Sequence, residues 1–194
     1  MYRFLRRTIW PAFALLVAFT LLTGVVFPVV VTAVAQIAFP SQANGSFVVT
    51  ADGRTVGSSL IGQAFSDPKY FWGRLSAAGK DGFDASGSAG SNLGPTSQAL
   101  IDRISADVDR IRAANGGGPV PVELVTTSAS GLDPDIGPAA ADYQIGRVAA
   151  ARGMTEADVR AAVARHTTAP FLGFIGEPRV NVLLLNLDLD GLLG

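Results

Sequence analysis

No cysteine occurs among the 194 residues, which excludes a disulfide framework and a thiolate zinc site. Histidine occurs once, at His166, so little side-chain chemistry is on hand for an enzyme. A G-x-S-x-G elbow, which would mark a serine nucleophile, is missing. The glycine-rich stretch SGSAGSNLGP at residues 86–95 has no following Gly-Lys-Ser/Thr, so it is not a Walker loop. Charge is missing altogether from residues 8–51. No internal repeat is present.

What is present begins with that uncharged stretch. Residues 9–39, IWPAFALLVAFTLLTGVVFPVVVTAVAQIAF, are nearly all apolar. A spanning helix needs ~20 such residues, so the run is long enough to cross a bilayer. A signal-peptide h-region takes only ~7–15, which argues for an uncleaved anchor. Arg3, Arg6 and Arg7 precede the run, and the next basic residue is Arg54. Basic residues at a membrane boundary stay on the cytoplasmic side. The reading is therefore a single-pass protein of the plasma (inner) membrane, with residues 1–40 forming the cytoplasmic N-terminus and span, and residues 41–194 an extracytoplasmic domain.

That outer segment is one domain's worth of chain. Removing the three N-terminal arginines from 15 basic residues leaves 12, against 16 acidic, a net charge near −4. The balance argues against nucleic acid as a partner and favours tolerance of cations. FVVT at 47–50, a turn at Asp52-Gly53 and a second strand over 55–61 read as a hairpin. Residues 62–95 hold no sustained period, and their aromatics Phe65, Tyr70, Phe71, Trp72 and Phe83 predict a long ordered loop. Leu100, Ile104, Val108 and Ile111 make one helical stripe that stops at Asn115 and the glycines after it. Residues 121–126 read as a short strand. Two further helices are expected over 138–152 and from a Thr155 cap to His166. The alternation in RVNVLLLNLDLD predicts a closing strand, with Leu183, Leu185, Leu187 and Leu189 on one face and Asn186, Asp188 and Asp190 on the other. The fold class is α+β: one N-terminal transmembrane helix, then a domain with a small sheet and about three helices.

Single motifs carry little chemistry. Asp133 and Asp135 flank Pro134 but lack the further oxygen ligands and closing glutamate of a calcium loop, so a turn entering the next helix is the better reading. His166 is a helix-end residue. Glu177-Pro178-Arg179 reads as a strand-entry turn or an ion pair. No catalytic or metal site emerges.

The ordered series carries more. GQAFSDPKYFWGR, SGSAGSNLGP, VELVTTSASGLDPDI, QIGRVAAARG and GEPRVNVLLLNLDL follow one another behind a single span. Over essentially its whole length the chain resembles the C subunit of the bacterial Kdp potassium-transporting P-type ATPase. The resemblance implies an accessory subunit without a hydrolytic site, needed for assembly and activity of a high-affinity potassium uptake complex. Its partners would be a channel-like A subunit, an ATP-hydrolysing B subunit and a small F subunit, so that ATP and potassium are handled by partners and no cofactor is held. The family is described as a catalytic chaperone that raises ATP affinity, with nucleotide contact through a glutamine; the matching residue is Gln144. The charge bias puts Gln144 outside, whereas ATP is cytoplasmic, so an effect on ATP use would travel through the membrane subunits. Candidates for partner contact are Gly24, Pro28, Phe65, Tyr70, Phe71, Asp81, Asp84, Ser91 and Asn92, and Asp81 and Asp84 are also candidates for steering potassium. The alternative is an anchored extracytoplasmic binding module for a peptide or glycan.

Overall fold

Apolar side chains and Pro28 shape the first fifth of the chain, which also carries Pro11 within its first helix. The computed structural model describes residues 2–193. Helix α1 (Tyr2–Leu21) runs through a π-helical turn (Leu22–Val26) into α2 (Phe27–Ala38). Pro28 accounts for the turn. It has no N–H, and its ring would strike the carbonyl four residues back, at Gly24. The backbone widens instead, and the Phe27 N–H donates to the Leu22 carbonyl, an i to i−5 bond. Together these pieces give a 37-residue apolar helix, Tyr2–Ala38, long and apolar enough to cross a membrane. At 1.5 Å per residue it is ~55 Å long, beyond the ~30 Å of a hydrocarbon core. None of its described residues is buried. The short helix α3 (Pro40–Ala43) follows a break at Phe39.

The chain divides into two compact units between Phe47 and Val48. At the start of the second, β1 (Phe47–Val49, its first residue still in the first unit) pairs with β2 (Thr55–Ser58) across a turn closed by the Thr50 N–H donating to the Arg54 carbonyl. A three-stranded antiparallel sheet has the order β3 (Asp135–Ile136), β5 (Arg179–Asn181), β4 (Thr167–Thr168). Four helices complete the unit: α4 (Gln98–Asn115), α5 (Pro138–Arg152), α6 (Glu156–Arg165) and α7 (Val182–Leu189). The architecture is α+β, as the sequence predicts.

Local chemistry explains where these helices start and stop. Pro138 opens α5 and Gly153, at φ 64°, closes it in the left-handed conformation. Thr155 caps α6 by accepting from the Asp158 N–H. On α4 the stripe of Ile104, Val108 and Ile111 packs on the main core, which also holds Phe71, Leu124, Ile136, Ile145, Val148, Val180 and Leu185. A smaller cluster gathers Val48, Leu183 and Leu187.

The second hairpin strand ends at Ser58, short of the expected residue 61, strands β3 and β4 lie outside the sequence expectation, and two segments differ from it in kind. Residues 121–126 contain a single 3-10 turn, Val122–Leu124, and no strand: Val122 is exposed while Leu124 and Val125 are both buried, so burial does not alternate. The closing segment is strand only to Asn181, whose side chain then caps α7 by accepting from the Leu184 N–H. Leucine favours helix, and this one is buried nearly all round, at Val182, Leu183, Leu185, Asn186 and Leu187. An alternating pattern within such a run reports burial on every side, not the two faces of a strand.

Candidate functional site

Residues 59–97 contain no helix or strand, only an isolated bridge from Leu75 to Thr127. Such a loop must find partners for its backbone polar groups elsewhere. Two buried side-chain amides supply them. Asn186 on α7 accepts from the Phe71 N–H at 2.8 Å and donates to the Phe71 carbonyl at 3.0 Å. Gln144 on α5 does the same for Trp72, at 2.8 and 3.0 Å. Each amide reads one residue of the loop as a neighbouring β-strand would.

The capacity of Gln144 is fully engaged. Its Nε2 also donates to the Ala140 carbonyl, and its Oε1 also accepts from Arg147 at 2.7 Å. Gln144 and Asn186 are each only 1% exposed. Arg147 further donates to Asn115 Oδ1 and to the carbonyls of Pro68 and Tyr70, and its guanidinium lies 4.0 Å from the centre of the Trp72 ring. Burial pulls its pKa down to about 10, partly offset by Asp67, so it stays charged at neutral pH. Arg152 holds the same stretch of the loop through the Lys69 carbonyl and lies over the Tyr70 ring, and is itself anchored by the Leu189 carbonyl and the Asp190 carboxylate.

The predicted contact residues therefore divide. Phe71 is fully buried in the core, and Phe65 and Tyr70 are half-buried against each other with ring centres 5.2 Å apart. Asp81 and Asp84 are exposed. Asp84 is held in a turn by the Ser86 hydroxyl and N–H, which keep its carboxyl below the ordinary value. Ser91 is half-buried, and Asn92 is exposed with φ 52°. Gly24 sits in the π-helical turn, with open space where a side chain would be, and Pro28 follows one turn on.

The two serine- and glycine-rich motifs are stitched to each other. The Ala89 N–H and Ser88 hydroxyl donate to the Ser130 carbonyl, and the Ser76 hydroxyl donates to the Gly131 carbonyl while accepting from the N–H groups of Ala78 and Phe83. Asp133 pairs with Arg74 at 3.1 Å and also caps its own turn through the Asp135 N–H. Asp135 pairs with Arg179 at 3.1 Å. Burial raises the Asp135 pKa, against the opposing pull of Asn181 and Arg179. These residues line an open cleft of about 550 Å³ with Glu123 and Glu177. Among the described residues no group of three His, Cys, Asp or Glu side chains could hold a metal ion.

His166 is the C-cap of α6, with Nε2 3.0 Å from Asp188 Oδ2. Burial works against the Asp188 charge, but hydrogen bonds from Arg165 and His166 outweigh it and hold the carboxyl below its ordinary value. A depressed carboxylate stabilises the fold above its unfolded pKa, and that contribution is lost as pH falls through the folded one.

Asn186, Arg147 and Arg152 escaped the sequence reading. The signal that existed was for a partner of Gln144, which lies on the 140-144-148 stripe of α5 between two apolar residues, where a polar side chain must have a buried partner.

One apolar helix long enough to span a membrane, joined to an α+β unit whose buried polar groups hold its own loop in place, defines a single-span architecture. The family model described as "KdpC: K+-transporting ATPase, c chain" matches residues 9–191, and the chain belongs to that family. A Sorangium cellulosum protein named potassium-transporting ATPase KdpC subunit is 58% identical over 183 residues, covering 93% of this chain and 96% of its own. A protein of the same name from Herpetosiphon aurantiacus is 54% identical over 182 residues, covering 93% and 94%. One from Caulobacter vibrioides is 56% identical over 180 residues, covering 93% and 91%.

Proposed function

We propose that the chain is the non-catalytic accessory subunit of an ATP-driven potassium uptake complex, held in the inner membrane with its N-terminus cytoplasmic and the second unit outside. Family membership over residues 9–191 carries this reading. Potassium conduction and ATP hydrolysis belong to the A and B subunits, and a small F subunit completes the assembly. The spanning helix packs on partner spans, for which Gly24 in its π-helical turn offers a close approach. The outer unit supports assembly and acts on ATP use by coupling between states of the membrane subunits, not by touching nucleotide. The engagement of Gln144 with Trp72, Ala140 and Arg147 supports a positioning role for that residue. Asp81 and Asp84, both exposed, are free to raise the local cation concentration within a Debye length of ~8 Å. A glycan-binding platform would need its aromatics on the surface, whereas Phe71 is buried and Tyr70 is held through its hydroxyl by Asp190.

Co-purification of the tagged full-length chain with the transporter tests the reading. Gly24→Leu adds a side chain where nothing lies within 4 Å, so the chain's own fold and insertion are kept. Recovery of partner subunits should fall about tenfold, as expected for losing one close helix contact. Unchanged recovery would reduce the helix to a tether, and a solitary wild-type chain would remove the subunit reading altogether.

A further inference from the structure

The β4–β5 hairpin ends in a tip whose apolar side chains belong to neither core cluster. Thr168 pairs with Arg179, and between them residues 169–178 leave the sheet. Phe171 is 69% exposed, Leu172 70%, Phe174 76% and Ile175 51%. Four large apolar side chains within five residues, around one glycine, make a contiguous patch of the kind that marks an interaction site.

The tip has a defined shape. The N–H of Phe171 donates to the Ile175 carbonyl and that of Ile175 to the Phe171 carbonyl, each at 2.9 Å. Gly173 donates to the Pro170 carbonyl, closing the turn, and Leu172 is held at φ 53°, a left-handed conformation that side chains rarely adopt. A loop whose backbone fixes four apolar side chains outward is preorganised for an apolar recess.

Charge and residue type select the occupant. Tips that lodge in anionic bilayers carry lysine or arginine beside the apolar residues, and tryptophan or tyrosine at headgroup level. This tip has none of the four between Pro170 and Glu177. The neighbouring cations are already paired, Arg179 with Asp135 and Arg165 with Asp188. Residues 48–194 carry a net charge near −4, which an anionic lipid surface repels. Phenylalanine, leucine and isoleucine are instead the residues that fill dry protein cavities.

We propose that Phe171, Leu172, Phe174 and Ile175 form a docking knob that seats in an apolar recess on a partner subunit of the transporter, on the side where the second unit lies. The proposal rests on the accessory-subunit reading. The knob would be a second attachment point, independent of the spanning helix, and two linked contacts bind far more tightly than either alone.

Its test uses the full-length chain and the whole complex. Tagged Phe171→Ser/Phe174→Ser competes with untagged wild type for the remaining subunits in mild detergent. Loss of two central anchors should weaken incorporation at least about 30-fold. The thermal midpoint of the variant chain should match wild type, because the exposed rings support no core. In parallel, a benzophenone amino acid at Phe174 in the assembled complex should give an adduct with a transporter subunit. Equal competition, or an adduct confined to lipid or to a second copy of this chain, overturns the knob while the subunit reading stands. Failure of wild type itself to enter the complex removes both.

Discussion

Gln144→Ala lowers the thermal midpoint of the full-length chain by roughly 10 °C. The substitution removes the acceptor of the Trp72 N–H, the donor to the Trp72 carbonyl and one partner of Arg147. Leaving a buried donor or acceptor unpaired costs about 1–3 kcal/mol, and two are orphaned at one stroke. For a domain of this size each kcal/mol shifts the midpoint by roughly 2–4 °C. Gln144→Glu keeps both acceptor contacts but sets a carboxylate oxygen against the Trp72 and Ala140 carbonyls, so it should destabilise as well. Thermal melts of the detergent-solubilised chain measure both. A residue whose business was nucleotide contact would leave the melt untouched and change only the ATP dependence of the complex; that pattern would sink the clamp.

Gly131→Val is the second large effect. An added Cβ would lie 2.6 Å from the Ala89 carbonyl oxygen and 2.8 Å from both the backbone nitrogen and the Cβ of Ala78, and φ is +67°. Two of these neighbours are backbone and cannot swing away. A β-branched residue held in the left-handed region costs about 1–3 kcal/mol, and the overlap with Ala78 and Ala89 adds ~1–3 more. The valine variant should lose the stitching of residues 76–92 to residues 128–132, with a midpoint roughly 10 °C lower and faster proteolysis within residues 76–92. A variant that melts and resists protease like wild type would mean the two motifs are not held together by this contact.

Legibility in the sequence followed the range of the interactions involved. The spanning run, α5 with its proline start and glycine stop, and α6 with its threonine cap are set by neighbouring residues, and each was visible. Residues 182–189 were not, because alternating leucines suit a strand and an all-round buried helix alike; only the core around them decides. Ordering of the aromatic loop was legible from its rings, but not its means. The bonds that hold it join Trp72 to Gln144 and Phe71 to Asn186, 72 and 115 residues apart, and no local pattern encodes such pairings. The π-helical turn lay in between: Pro28 announced a disturbance, and the widened Phe27–Leu22 bond is its form.

Labelling of single cysteines tests most directly the claim that this chain assists the transporter from outside the membrane without meeting ATP. The native chain has no cysteine, so each probe stands alone. Cysteines at Thr8, Ser41 and Ser86 are introduced separately into the full-length chain in the assembled complex. Intact spheroplasts are then treated with a membrane-impermeant maleimide. The expected result is labelling at positions 41 and 86, and at position 8 only after the membrane is opened. Labelling at position 8 alone in intact cells would put the α+β unit in the cytoplasm, contradict the orientation read from the three arginines, and reopen direct contact with ATP.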